Sequence, residues 1–206
     1  MKVMLLNGSP RADGNTYTAL KTVADRLSEL GIDSEIFQLG TEPVAGCTAC
    51  KACYKLGRCV KNDRVVEFAE KLKEADGFIV GTPVYFAAPN GSLIAFLNRL
   101  FYSEGHKFRF KPAAAIACAR RGGTTAALDV LNKYFAIMQM PIVSSTYWNI
   151  VHGLNKGEAL QDAEGLRTMR NLAQNIAWML NCIESGKAAG IMPPKAERGD
   201  MTNFIR

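Results

Sequence analysis

Lys2-Val3-Met4-Leu5-Leu6-Asn7-Gly8-Ser9-Pro10-Arg11-Ala12-Asp13-Gly14-Asn15-Thr16 is a short apolar run broken by glycine and followed by small polar residues. Residues 2–7 are too few for a helix and read as a buried strand ended by Gly8. From Thr16 the period changes. Leu20, Val23, Ala24, Leu27 and Leu30 fall on one helical face, and Gly31 stops the helix.

The same alternation continues outward from this stretch. Residues 33–39 alternate apolar and polar as a half-buried strand does. Asp63 is placed to cap a helix over 64–75 with Val65, Val66, Ala69 and Leu72 inward. Residues 77–81 and 113–119 read as buried strands and 142–148 as a fifth, with helices over 90–102, 124–139 and 158–184. Repeated β–α alternation predicts an α/β fold with a parallel sheet and helices on both faces. Right-handed crossovers and five strands favour the flavodoxin-like order 2-1-3-4-5. The expected organisation is one domain over 1–186, carrying a cysteine-rich loop at 40–62, and an extended arm over 187–206 with Pro193-Pro194.

In that order the carboxyl ends of strands one, three and four meet, and a ligand is expected there. The loop after strand one offers tight turns, free N–H groups and hydroxyls at a helix start, with Arg11 for charge. Those are the parts of a phosphate cradle; the plainer alternative is a polar turn with a capping Asn15 or Thr16. Asn15 stands where a Walker A loop has lysine, and no G-x-G-x-x-G is present. After strand three, Tyr85 and Phe86 sit between Pro83 and Pro89, able to flank a flat ring or simply to pack. After strand four, the Gly122-Gly123 turn and Arg120 can stabilise negative charge on a reduced ring.

The most specific element is Cys47-Thr48-Ala49-Cys50-Lys51-Ala52-Cys53-Tyr54-Lys55-Leu56-Gly57-Arg58-Cys59, spaced C-x2-C-x2-C-x5-C. Four thiolates so close can hold a four-iron cluster, and bacterial ferredoxin runs begin C-x2-C-x2-C. A structural zinc, redox-active thiols without metal and a disulfide framework are the alternatives. Zinc ribbons draw their C-x-x-C pairs from separated segments, and nothing suggests the oxidising compartment that disulfides need. Lys51, Lys55, Arg58, Lys61 and Arg64 surround the thiols, favouring thiolate and offsetting cluster charge, or forming an ordinary solvated surface. Cys118 and Cys182 lie in apolar periodic stretches and read as core residues.

With 206 residues, 48% apolar and 21% charged, the chain has an ordinary globular composition. No apolar run approaches a membrane span, and the apolar start is too short for a signal-peptide core. A cytoplasmic protein is expected. The net charge of +6 is spread along the chain without a basic, aromatic-interleaved stripe, so no nucleic-acid partner is expected. His106 and His152 read as surface or core residues, and no Ser/His/Asp or Cys/His constellation is present. No catalytic acid, base or nucleophile is therefore expected.

Gly8-Ser9-Pro10-Arg11 with Gly14-Asn15-Thr16, then Thr82-Pro83-Val84-Tyr85, resembles the FMN-binding loops of the NADPH-dependent FMN reductase-like family. With Cys47 through Cys59 after strand two, the chain is similar to the iron–sulfur flavoproteins within that group. Thr202-Asn203-Phe204-Ile205-Arg206 also looks like endings in that group. The resemblance implies one FMN per subunit, its phosphate held by Ser9, Arg11, Asn15 and Thr16, and its ring bordered by Pro83, Val84, Tyr85 and Phe86. It also implies a [4Fe–4S] cluster on Cys47, Cys50, Cys53 and Cys59, and a homodimer or homotetramer in which the cysteine loop lies near a neighbour's flavin.

The expected function is electron transfer between cluster and flavin, with a small redox protein or NAD(P)H as donor. A cluster-free NAD(P)H-dependent reductase of flavin, quinone, nitro or azo compounds is the first rival. A non-enzymatic thiol redox sensor or binding protein is the second.

Overall fold

The computed structural model describes residues 1–197, 199–202 and 204. The strands are β1 (Lys2–Asn7), β2 (Asp33–Gln38), β3 (Gly77–Tyr85), β4 (Ala88–Pro89), β5 (Ala113–Ala119) and β6 (Ile150–His152). The helices are α1 (Asn15–Glu29), α2 (Cys53–Leu56), α3 (Arg64–Glu74), α4 (Gly91–Glu104), α5 (Thr124–Ile137) and α6 (Ala163–Ala188). The long strands pair in the order β2-β1-β3-β5-β6, all parallel, while β4 turns back antiparallel on the end of β3. Apart from the short β4, this is the expected flavodoxin-like succession.

The strands alternate their side chains between two cores. Met4, Leu6, Phe78 and Val80 enter the cluster beneath α3, α4 and α5, whereas Val3, Leu5 and Ile79 enter the one beneath α1 and α6. Phe78 meets Phe68 at 5.5 Å and Phe135 at 5.7 Å between ring centroids. Each such fully buried ring contributes about 1.5–3 kcal/mol. Among the described residues no helix is long and apolar enough to cross a membrane.

Four elements depart from the sequence expectation. β3 runs on to Tyr85 instead of stopping at Gly81. Gly8 N donates to Gly81 O at 2.8 Å, so Gly81 and, by alternation, Pro83 face β1. The β1 ladder ends at Asn7 opposite Gly81, and the missing N–H of Pro83 therefore breaks no bond. Phe86 and Ala87 then form the hairpin turn with φ of 51° and 58°.

The expected strand over 142–148 is replaced by a single bridge from Ile142 to Ala113, and pairing resumes only at β6. Between them the chain bonds α6 instead of the sheet edge. Ser145 Oγ donates to Thr168 O (2.7 Å), Asn171 Nδ2 to Thr146 Oγ1 (3.0 Å) and Asn175 Nδ2 to Ser144 O (2.7 Å). The last helix is also broken. A 3-10 turn at Glu158–Gln161 precedes α6, and Asp162 caps α6 by accepting from Gly165 N at 2.9 Å.

Within the cysteine loop one helical turn, α2, forms and ends at Gly57. Cys118 is buried as expected, but Cys182 is exposed. α6 extends through Ala188, past the expected start of the arm at Lys187. Of the closing segment, Asn203, Ile205 and Arg206 lie outside the described residues, as does Arg198.

Candidate functional site

The loop between β1 and α1 is shaped by side chains below it. Asn7 Oδ1 accepts from Ser9 N at 3.1 Å, and Asn7 Nδ2 donates to Gln38 Oε1 at 2.6 Å. Gln38 Nε2 donates to Ser9 O (2.7 Å), and Asn90 Nδ2 to Gly8 O (2.7 Å). The loop carbonyls are thus held toward the protein. Gly8 has no room for a side chain, because a Cβ there would lie 2.5 Å from Leu93 Cδ2 and 2.8 Å from Gly81 O. α1 starts after Gly14 with no side-chain cap on its first turn. Uncapped N–H groups at the positive end of a helix favour an anion, and Arg11 adds charge.

Ser9, Arg11, Asn15 and Thr16 line one cleft of about 250 Å³ together with Pro83, Val84, Tyr85 and Arg120. Thr16 and Ser9 are buried, and Arg11 N donates to Ser9 Oγ at 3.1 Å. Asn15 has both ends of its amide engaged: Nδ2 donates to Asn155 O at 3.0 Å, and Oδ1 accepts from Ala159 N at 3.2 Å.

Three expected residues do not line the cleft. Phe86 projects fully into solvent at the hairpin tip. Gly122 is exposed. Gly123, at φ 88°, packs beneath the hairpin, where a Cβ would lie 2.8 Å from Ala87 Cα.

The expected site residues left out five that line the cleft: Gly14, Cys118, Ala119, Gly153 and Leu154. They also left out the supports Asn7, Gln38 and Asn90. The strand-end polar residues Asn7 and Gln38 are the only signal that pointed to them. Burial pushes the Cys118 thiol up to about 12, so it stays neutral.

Cys47, Cys50, Cys53 and Cys59 line a second, small cavity of about 20 Å³ with Lys51, Arg99 and Tyr102. Ala49 and Lys51, between the first three cysteines, adopt φ of 53° and 58°. Left-handed residues alternating in a tight loop form backbone concavities of the kind found at anionic iron–sulfur sites. Burial, and after it the neighbouring Cys50, Cys59 and Cys47, raise the Cys53 thiol above its ordinary value. Among the described residues no three His, Cys, Asp or Glu side chains are gathered to hold a single metal ion. Four cysteine thiols lining one cavity are the donor set that a four-iron cluster takes.

α4 and the turn after it clamp this loop. Arg99, 2% exposed, donates through Nη1 to Asp63 Oδ2 (2.6 Å) and Ala45 O (3.3 Å). Through Nη2 it donates to Asp63 Oδ1 (2.9 Å), Lys61 O (3.2 Å) and Cys59 Sγ (3.3 Å). Burial opposes the charge of Asp63, but the Arg99 hydrogen bonds and the Val65 N–H outweigh it and hold the carboxyl below its ordinary value. Tyr102 stacks on Tyr54 with hydroxyls 3.1 Å apart, which pushes Tyr102 up to about 12. Lys107 Nζ donates to Gly57 O at 2.6 Å.

A family model described as NADPH-dependent FMN reductase matches residues 1–155. An iron–sulfur flavoprotein of Methanocaldococcus jannaschii is 32% identical over 89% of this chain and 100% of its own. An NADPH azoreductase of a Bacillus species is 31% identical over 66% of this chain and 67% of its own. The solved structure of RosB superposes with a TM-score of 0.69 at 14% identity, covering 100% of this chain and 92% of its own. At that identity it speaks to the fold alone.

Proposed function

Because this chain belongs to the NADPH-dependent FMN reductase family, among its iron–sulfur flavoproteins, we propose that it moves electrons between FMN and a [4Fe–4S] cluster. It is a flavin-dependent oxidoreductase. The observation that carries the cluster assignment is the ring of four cysteines around one cavity, anchored by a buried guanidinium. FMN supplies one- and two-electron chemistry and the cluster one-electron chemistry, so the pair interconverts the two.

The α1 N-terminus, Arg11, Ser9 and Thr16 take the phosphate. Pro83, Val84 and Tyr85 border the ring, and Arg120 brings positive charge to the opposite wall. Asn15 acts indirectly, by fixing the loop that carries Gly153 and Leu154. Cys118 stays a neutral thiol in the cleft lining. Cys47, Cys50, Cys53 and Cys59 are the cluster ligands.

The FMN-binding unit runs to the end of α6 at Ala188, and the described residues beyond it form an arm. The protein works as a homodimer or homotetramer, bringing the cysteine loop of one subunit near a neighbour's flavin. Lys51, Lys55, Arg58 and Lys61 around the exposed Tyr54, Leu56 and Val60 suit a small acidic redox protein as donor. Six free cysteines suit the reducing cytoplasm.

Likeness to an NADPH azoreductase favours a second function, direct reduction of a small acceptor by NAD(P)H. Anaerobic purification followed by FMN, iron and sulfide analysis, with EPR after dithionite reduction, tests the assignment. Stoichiometric iron and sulfide support electron transfer. Iron-free yellow protein that consumes NAD(P)H shifts the function to the second.

A further inference from the structure

We infer that Arg99, which is not a ligand, sets the reduction potential of the cluster by donating a charged hydrogen bond to the sulfur of Cys59; this rests on the cluster assignment above. Arg99 lies on α4, 40 residues beyond Cys59, with its Nη2 at 3.3 Å from that sulfur. Among the described residues no other cysteine sulfur accepts a hydrogen bond from a charged side chain. The guanidinium is held in this pose from several sides. Asp63 takes both nitrogens of the fork, and Ala45 O and Lys61 O take further bonds. Its Nε is buried without a partner.

Reduction adds one negative charge, which spreads onto the ligating sulfurs. An N–H···S bond from a cation strengthens with that charge and favours the reduced form. The bond is directed at one corner of the site, so Cys59 is electronically unlike the other three ligands. Lys107, by contrast, restrains the same loop at Gly57 O without touching a sulfur. The two clamps therefore separate electronic tuning from simple restraint.

Arg99→Lys keeps a cation for Asp63, but a single ammonium lacks the fork needed to serve the sulfur as well. In an anaerobic redox titration of the FMN- and iron-loaded protein, this variant should show a lower cluster potential. At a fixed ambient potential the reduced-to-oxidised ratio should fall on the order of tenfold, about 59 mV for a one-electron couple. The FMN potential, read in the same titration, should not move.

Lys107→Gln removes a charge that touches no sulfur, so it should lower the cluster potential less than Arg99→Lys does. Should Arg99→Lys lose iron, Asp63→Asn serves instead: it keeps the N–H···S donor and removes a negative charge, so the potential should rise. An unchanged potential in Arg99→Lys, an equal shift in Lys107→Gln, or a fall in Asp63→Asn overturns the inference. Wild-type protein lacking iron and sulfide would remove the cluster assignment itself, and that result is read before any variant is titrated.

Discussion

Asn15 Nδ2 donates to the carbonyl oxygen of Asn155 at 3.0 Å, joining segments 140 residues apart at the cleft between β1 and β3. Ala159 N returns a bond to Asn15 Oδ1, and Lys156 pairs with Asp13 alongside. Asn15, expected to hold phosphate, lines the cleft and also fixes the second loop over the first. Asn15→Ala should therefore weaken FMN binding only on the order of fivefold, the worth of about 1 kcal/mol of lost hydrogen bonding. Fluorescence titration of FMN into stripped protein measures it, and a hundredfold loss would instead place the amide on the phosphate.

Gly8 makes the steepest demand on the cleft. A methyl group there meets Gly81 O at 2.8 Å, and a backbone oxygen inside a paired sheet cannot step aside. Gly8→Ala should cost about 1–3 kcal/mol through overpacking and displace the Ser9–Arg11 turn. Both the melting temperature and the FMN retained through gel filtration should fall. Gly122 has nothing within 4 Å of its Cβ position, so Gly122→Ala should stay within about 0.5 kcal/mol of wild type and keep its flavin. Similar losses in both variants would contradict this packing account.

What the sequence could and could not disclose follows from how local each signal is. β1, Gly8 and α1 were legible because an apolar run, a glycine stop and a 3.6-residue period all lie within thirty positions. The hairpin at Tyr85–Ala88 was not, since its left-handed turn is made by Phe86 and Ala87 and not by the usual glycine or asparagine. Residues 142–148 have strand-like composition, but Ser144, Ser145 and Thr146 find partners on α6, and no propensity registers a competitor that distant. Arg99 lies within the expected helix over 90–102, and nothing local marks it out. Its five hydrogen bonds all go to residues at least 36 positions away.

The Arg99–Asp63 pair carries a pH dependence. Asp63 is held below its ordinary value in the folded chain, so its contribution is present above the unfolded value of about 3.9 and is lost as pH falls through the folded value. Because the Asp63 side chain is 42% exposed, solvent screening limits the effect to under about 1 kcal/mol. Urea midpoints at pH 6 and pH 3 should differ less in Asp63→Asn than in wild type. Equal differences would mean that other carboxylates carry the acid sensitivity.

The cleft and the cysteine cavity share no lining residue: the cleft is built from the ends of β1, β3 and β5, the cysteine cavity from the loop after β2 and from α4. Chemistry at one should therefore be separable from occupancy of the other. Cys50→Ser removes one of four thiolates from an exposed position and leaves the Arg99–Asp63 anchor intact. Iron, acid-labile sulfide and the reduced-cluster EPR signal should drop to background in this variant. FMN content per chain should stay near the wild-type value, since none of the phosphate or ring contacts is altered. Loss of flavin in proportion to iron would show that the cysteine loop is needed to build the flavin cleft, for instance from a neighbouring subunit.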